Sequence, residues 1–168
     1  MMQTMQTMRK RENEKFMEVM KEYDTYIFDL DGTLLDTLDD LYLSVNHTLR
    51  HFDFPQHTKD DVRSFVGNGV RRLMIRSIPG GEENPRFEEA FGFFCSYYMQ
   101  HSLDNTCPYP GITELLTQLK ARGKRLAVVS NKFDAATKEL ISHFFGSLVE
   151  VAIGENESLG VRKKCCPH

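Results

Sequence analysis

The stretch Leu126-Ala127-Val128-Val129 is a continuous apolar run that breaks into Ser130-Asn131-Lys132. No other segment constrains the fold as much. A short, β-branched, uninterrupted run of this kind is the pattern of a strand buried on both faces of a parallel sheet. Its flanks agree. Ile112, Leu115, Leu116 and Leu119 recur at helical spacing and are closed by Gly123, and a helix over about 134–144 and a strand over about 149–153 follow. Helix, strand, helix, strand predicts an α/β domain. A further strand is expected at Thr25-Tyr26-Ile27-Phe28, which stops at Asp29-Leu30-Asp31-Gly32-Thr33.

Between the two strand regions the pattern is helical throughout. Leu38, Leu41, Val45, Leu49 and Phe52 recur every three or four positions, with Asp36 or Thr37 as the expected N-cap. Thr58 and Asp61 have capping-box spacing for a second helix that ends at Gly67. The tight loop Gly67-Asn68-Gly69 precedes one or two turns carrying Val70, Leu73, Met74 and Ser77, and then Pro79-Gly80-Gly81 interrupts. Residues 82–100 read as one more helix, and its stripe from Phe91 to Tyr98 reads as core rather than as a base-stacking platform. The expected organisation is an N-terminal extension over 1–22, an α/β core over 23–36 and 108–168, and an inserted helical cap over 37–107. In the extension, Phe16, Val19 and Met20 at helical spacing predict a helix after a Met, Gln and Thr start.

Composition removes several function classes. Lys plus Arg number 21 against 24 Asp plus Glu, a formal charge of −3, so nothing marks a nucleic-acid-binding polycation. At 40% hydrophobic and 11% aromatic residues the chain can build a packed core. No run approaches the roughly 18 apolar residues of a membrane span, and no leader pattern is visible at the start. Cys95, Cys107, Cys165 and Cys166 show no regular spacing, which makes a reducing cytoplasm the expected compartment. The Cys165-Cys166 pair makes a poor four-ligand metal site.

Open parallel sheets bind ligands beyond the carboxyl ends of their strands, and both polar clusters lie there. Asp29 and Asp31, two positions apart, can place two carboxylates on one side of a turn, near enough to share a hard cation and to push their proton affinities apart. Such a pair suits phosphoryl transfer through a carboxylate nucleophile with an acid partner. Ser130 adds a hydroxyl and backbone N–H donors suited to phosphoryl oxygens. On its own, an Asp-x-Asp spacing also serves to cap turns and helices.

The full string Phe28-Asp29-Leu30-Asp31-Gly32-Thr33-Leu34-Leu35-Asp36-Thr37 resembles the first motif of the haloacid dehalogenase superfamily of phosphohydrolases. Val129-Ser130-Asn131-Lys132 is similar to its second motif, and Lys164, or Lys163, to its third lysine. Val66-Gly67-Asn68-Gly69-Val70 and Thr106-Cys107-Pro108-Tyr109-Pro110-Gly111-Ile112 narrow the likeness to phosphoglycolate phosphatases, over about residues 23–167. The resemblance implies a Rossmann-like core with a helical cap. It implies Asp29 as nucleophile, Asp31 as general acid and base, and Mg²⁺ held by the Asp29 carboxylate and the Asp31 backbone carbonyl. Thr33, Ser130, Asn131 and Lys164 would surround the phosphoryl group. The implied substrate is a small phosphorylated metabolite such as 2-phosphoglycolate. Another sugar phosphate or a nucleotide is the alternative, as is a non-catalytic fragment that binds phosphate or a partner. Family members carry a further acidic motif, G-D-x-x-x-D, beyond the third. The chain therefore reads as C-terminally truncated, with the last core strands missing and activity expected to be weak or lost.

Other candidates are weaker. Arg71, Arg72 and Arg76 follow the glycine loop, where a guanidinium could grip a substrate carboxylate or simply face solvent. Arg71 joins Gly67, Asn68 and Gly69 as the expected substrate-facing set. His47 and His51 share a helix face, which reads as solvated. Lys132 is expected to be structural or outside the reacting shell.

Overall fold

The computed structural model describes residues 23–156. Two hydrophobic clusters divide them. One is built by the parallel strands β1 (Thr25–Phe28), β4 (Arg125–Phe133) and β5 (Val151–Glu155) with helices α5 (Ile112–Ala121) and α6 (Asp134–Phe144). The other belongs to α1 (Leu38–His51), α2 (Lys59–Phe65), α3 (Val70–Ser77) and α4 (Phe87–His101). A two-stranded antiparallel ladder of β2 (Leu35–Asp36) and β3 (Cys107–Pro108) joins the sheet lobe to the helical lobe.

The sheet order is β1-β4-β5, with Phe28 opposite Val128 and Val128 opposite Ala152. Both helical crossovers step the same way across the sheet, so their right-handedness puts α5 and α6 on one face. Leu126 and Val128 are buried against Leu116, Leu140 and Ile141 on that face. On the opposite face Ile27 is 67% exposed and Val151 and Ile153 are also open among the described residues. The sequence expectation of a strand buried on both faces is thus corrected: β4 alternates buried and half-buried residues along its length. It is also longer than the apolar run. Its pairing with β5 slips after Val129, and Phe133 meets Glu155.

Other boundaries shift for local reasons. The last helix of the helical lobe begins at Phe87 rather than near Glu82, because Pro85 holds Asn84 extended at φ −66° and ψ 125°. A short 3₁₀ turn at Gly81–Glu83 fills the gap. The third strand of the sheet runs from Val151 rather than Val149. The capping box of α2 forms as read: Thr58 Oγ1 accepts from Asp61 N at 3.2 Å and Asp61 Oδ2 accepts from Thr58 N at 2.9 Å. Asp40 ties the two connections between the lobes, accepting from Asn105 N and Nδ2 and from Thr106 N and Oγ1 at 2.7 to 3.1 Å. The N-terminal extension, Lys163, Lys164 and the Cys165-Cys166 pair lie outside the described residues.

Candidate active site

The turn after β1 is fixed by leucines. Leu30, Leu34 and Leu35 are fully buried in the sheet-lobe cluster, and the amides of Leu34 and Leu35 both donate to Leu30 O at 3.0 and 3.1 Å. With Leu30 turned into the core, Asp29 and Asp31 on either side of it face a cavity between the lobes. The floor of this cavity is Asp29, Asp31, Ser130, Asn131 and Lys132. Its water-accessible space is about 50 Å³.

The slip in the β4–β5 ladder lies between Val129 and Phe133, at the strand's carboxyl end, while the burial of β4 keeps alternating through Ser130 and Lys132. Lys132, expected to be structural, is the best-connected group of the site. Its side chain is 1% exposed, and its ammonium donates to Asp31 Oδ1 at 2.7 Å and to Tyr98 Oη at 2.6 Å. Burial disfavours the charged form, but the Asp31 carboxylate, Tyr98 and the hydrogen bonds to both outweigh it and hold the ammonium's pKa above its ordinary value. Burial pushes the Tyr98 phenol up. Thr37 Oγ1 also donates to Asp31 Oδ1, at 2.7 Å, and makes no cap bond to α1. Leu38 N instead finds Asp36 Oδ1 at 3.2 Å. Both donors to Asp31 fall on one oxygen, Oδ1.

The other expected residues divide. Ser130 is buried on the floor, its Oγ accepting from Lys132 N at 3.1 Å. Gly67 and Gly69 line the opposite wall with Leu41, Val66, Val70 and Leu73, whereas Asn68 is exposed and outside it. Gly69 needs to be glycine twice over: its φ is +85°, and a Cβ there would lie 2.9 Å from Glu155 Oε2 and 3.2 Å from Asn131 O. Thr33 is exposed and is not part of the cavity wall.

Arg71 does not reach the cavity. Its guanidinium pairs with Glu82 at 3.0 Å and with Glu88, and it lies over the rings of Phe87 and Phe91 at 5.1 and 5.2 Å. It borders a neighbouring hollow of about 360 Å³ beyond Val70. His51 is exposed, as expected of a solvated face, and His47 is half-buried. They stack on Tyr97 and Phe93 with ring centroids 3.9 and 4.2 Å apart, and burial is the first cause of a lowered His47 pKa.

Sequence reasoning missed Thr37 and Lys132 as partners of Asp31, and Tyr98 as the second partner of Lys132. Strand alternation could have found the lysine, because Val128, Ser130 and Lys132 share a face. No local signal points α4's Tyr98 across to the sheet.

Among the described residues, no group of three or more His, Cys, Asp or Glu side chains could hold a metal ion. The donors that the turn offers are all oxygen, from Asp29 and Asp31. Such hard donors fit Mg²⁺, which binds through one or two carboxylates and keeps water and substrate phosphate in its remaining positions.

The family profile described as haloacid dehalogenase-like hydrolase matches residues 26–160. The phosphoglycolate phosphatase of Aquifex aeolicus is 35% identical over 115 residues, which cover 68% of this chain and 52% of that protein. That of Caulobacter vibrioides is 35% identical over 133 residues, covering 74% and 56%. The chain thus spans about half the length of these relatives. The crystal structure of a predicted phosphoglycolate phosphatase from Haemophilus somnus superposes with a TM-score of 0.78 at 31% identity, covering 86% of this chain and 67% of that one.

Proposed function

Because the chain belongs to the haloacid dehalogenase-like hydrolase family, we propose that it hydrolyses small phosphomonoesters with Asp29 as nucleophile and Asp31 as proton carrier. The observation that carries this reading is the pairing of Asp31 with Lys132 beside Asp29 on the floor of one cavity. The names of the relatives support a small phosphorylated substrate, with 2-phosphoglycolate the first to try, and an Mg²⁺-dependent reaction is the family expectation.

An Asp29 carboxylate oxygen attacks phosphorus in line as the ester oxygen leaves. The leaving alkoxide takes a proton from Asp31. Lys132 and Thr37 occupy Asp31 Oδ1, so Oδ2 is the oxygen that carries this proton. Asp31 then removes a proton from water, whose oxygen attacks phosphorus, releasing phosphate and restoring Asp29. Mg²⁺, held by the Asp29 carboxylate and the Asp31 carbonyl, would neutralise charge on the phosphoryl oxygens. Ser130 and Asn131 offer donors to the same oxygens, and Lys132 brings a fixed positive charge near them. Thr33, placed by the family motif, and Lys164 remain proposed phosphate contacts. The compartment proposed is the cytoplasm.

Turnover of p-nitrophenyl phosphate with and without Mg²⁺ tests the reading. Asp29→Asn should abolish it, because an amide is a poor nucleophile. Comparable turnover by Asp29→Asn would refute the covalent mechanism.

A further inference from the structure

Three successive residues at the end of β4 each meet one residue of the helical lobe. A Cβ at Gly69 would lie 3.2 Å from Asn131 O, Tyr98 Oη lies 2.6 Å from Lys132 Nζ, and the Phe91 ring centroid stands 6.4 Å from that of Phe133. The middle contact reaches the ammonium that pairs with Asp31. Tyr98 is a fixed post. It is fully buried, and its ring stacks on that of Phe94, one helical turn earlier, with centroids 5.7 Å apart inside the apolar core of the helical lobe.

Lys132 brings the opposite properties: a compact charge on a flexible stem of four carbons, with donors to place. A carboxylate where the phenol stands would share that charge with Asp31. The phenol does not, because burial keeps it in its neutral form. It accepts one N–H from the ammonium and leaves the charge to Asp31. The consequence falls on Asp31. With Lys132 and Thr37 both on Oδ1, Oδ2 is the oxygen that holds the proton. An ammonium released from the phenol can slide between the two carboxylate oxygens, and on Oδ2 it would displace the proton that the leaving oxygen needs.

Resting on the hydrolase reading, we propose that Tyr98 of the helical lobe is a positioning residue for the acid step: held at the phenol oxygen, Lys132 stays on Asp31 Oδ1, and Oδ2 keeps its proton for the departing ester oxygen. Tyr98 is not part of the cavity wall. It acts through Lys132, and it is a point at which the helical lobe bears on proton transfer in the sheet lobe.

Two esters of nearly the same shape test this. Phenyl phosphate releases a phenolate that needs a proton to leave readily, whereas p-nitrophenyl phosphate releases one that does not. For both, kcat/KM of the 168-residue chain is measured with Mg²⁺, since it reports phosphoryl transfer to Asp29 and not the later attack of water. Tyr98→Phe should lower it at least about fivefold for phenyl phosphate, part of the roughly 10²–10⁴-fold that a positioned acid supplies. For p-nitrophenyl phosphate the value should stay within about twofold. In a Lys132→Met background, Tyr98→Phe should leave the phenyl phosphate value within about twofold, because it acts only through the lysine. A loss of the same size on both esters would mean that Tyr98 only packs, and overturns the proposal. No loss on either ester overturns it too, as does an equal loss in both backgrounds. Turnover of neither ester by the unaltered chain sinks the hydrolase reading itself, and the proposal with it.

Discussion

Replacing Lys132 by Met keeps the length and most of the apolar bulk of a side chain that is 1% exposed, and removes only its charge and donors. Two groups lose a partner. Asp31 retains Thr37 alone, and the fully buried Tyr98 hydroxyl loses the ammonium at 2.6 Å. Breaking a buried pair on one side costs about 3–5 kcal/mol. Because the Asp31 side chain is 20% exposed and water can reach it, the lower end applies, about 3 kcal/mol. For a domain of this size that lowers Tm by about 6–12 °C. It is a large part of the roughly 5–15 kcal/mol that keeps a domain folded. Urea unfolding of Lys132→Met, Tyr98→Phe and the double variant measures it. Tyr98→Phe alone should cost about 1 kcal/mol and should cost less, or stabilise, once Lys132 is Met, since the hydroxyl then has no partner to lose. The pH dependence has a definite sign. A lysine whose pKa is raised by folding contributes stability that is complete below its unfolded value near 10.4 and is lost as pH rises through the higher folded one. On the alkaline side, the wild type should therefore keep its advantage over Lys132→Met until strong alkali. A loss below about 1 kcal/mol, or equal costs of Tyr98→Phe in both backgrounds, would refute the assignment of this triad as a buried, coupled unit.

Gly154→Ala should destabilise severely, by about 3 kcal/mol or more, because the added Cβ would fall 2.4 Å from Asp134 Cα and 2.6 Å from Lys132 O, both backbone; a thermal melt within 2 °C of wild type would contradict this. Gly69→Val should reduce kcat/KM and also cost stability, given its positive φ and the approach of Asn131 O. Unchanged kinetics across several phosphomonoesters would remove the loop from substrate recognition. Ile27→Lys places charge on the sheet face opposite α5 and α6, where Ile27 is 67% exposed among the described residues, and should reduce self-association in light scattering. Equal scattering from both proteins would show that this face does not drive association.

The sequence made the architecture legible wherever one periodicity dominated. Leu38 to Phe52 buries its expected face as α1, and Thr58 with Asp61 caps α2 as their spacing requires. The acidic turn was legible because buried Leu30 between two aspartates allows only one alternation. What failed depended on contacts distant in sequence. Arg71 sits one turn from the glycine loop, but Glu82 and Glu88, 11 and 17 residues on, draw its guanidinium away from the cavity. His51 stays exposed and His47 half-buried, but the rings they stack on come only from the packing of α4 against α1.

Lys132 shows how a correct strand assignment can conceal a site. Reading Leu126 to Val129 as an apolar run ended the strand at the polar residues, so Ser130, Asn131 and Lys132 became a loop with no defined direction. The strand continues to Phe133, and continuing the period of two puts Leu126, Val128, Ser130 and Lys132 on the same face. Along that face the residues pass from the core of the sheet lobe to the cavity floor. A lysine buried at the end of an apolar face needs a counter-charge, and in the parallel register Phe28 pairs with Val128, which brings the turn after β1 beside residues 130–132. Asp31 is the carboxylate that this register delivers to the lysine, at 2.7 Å. The strand order that makes the fold therefore also assembles the charged centre of the site, with α4 adding only the Tyr98 hydroxyl.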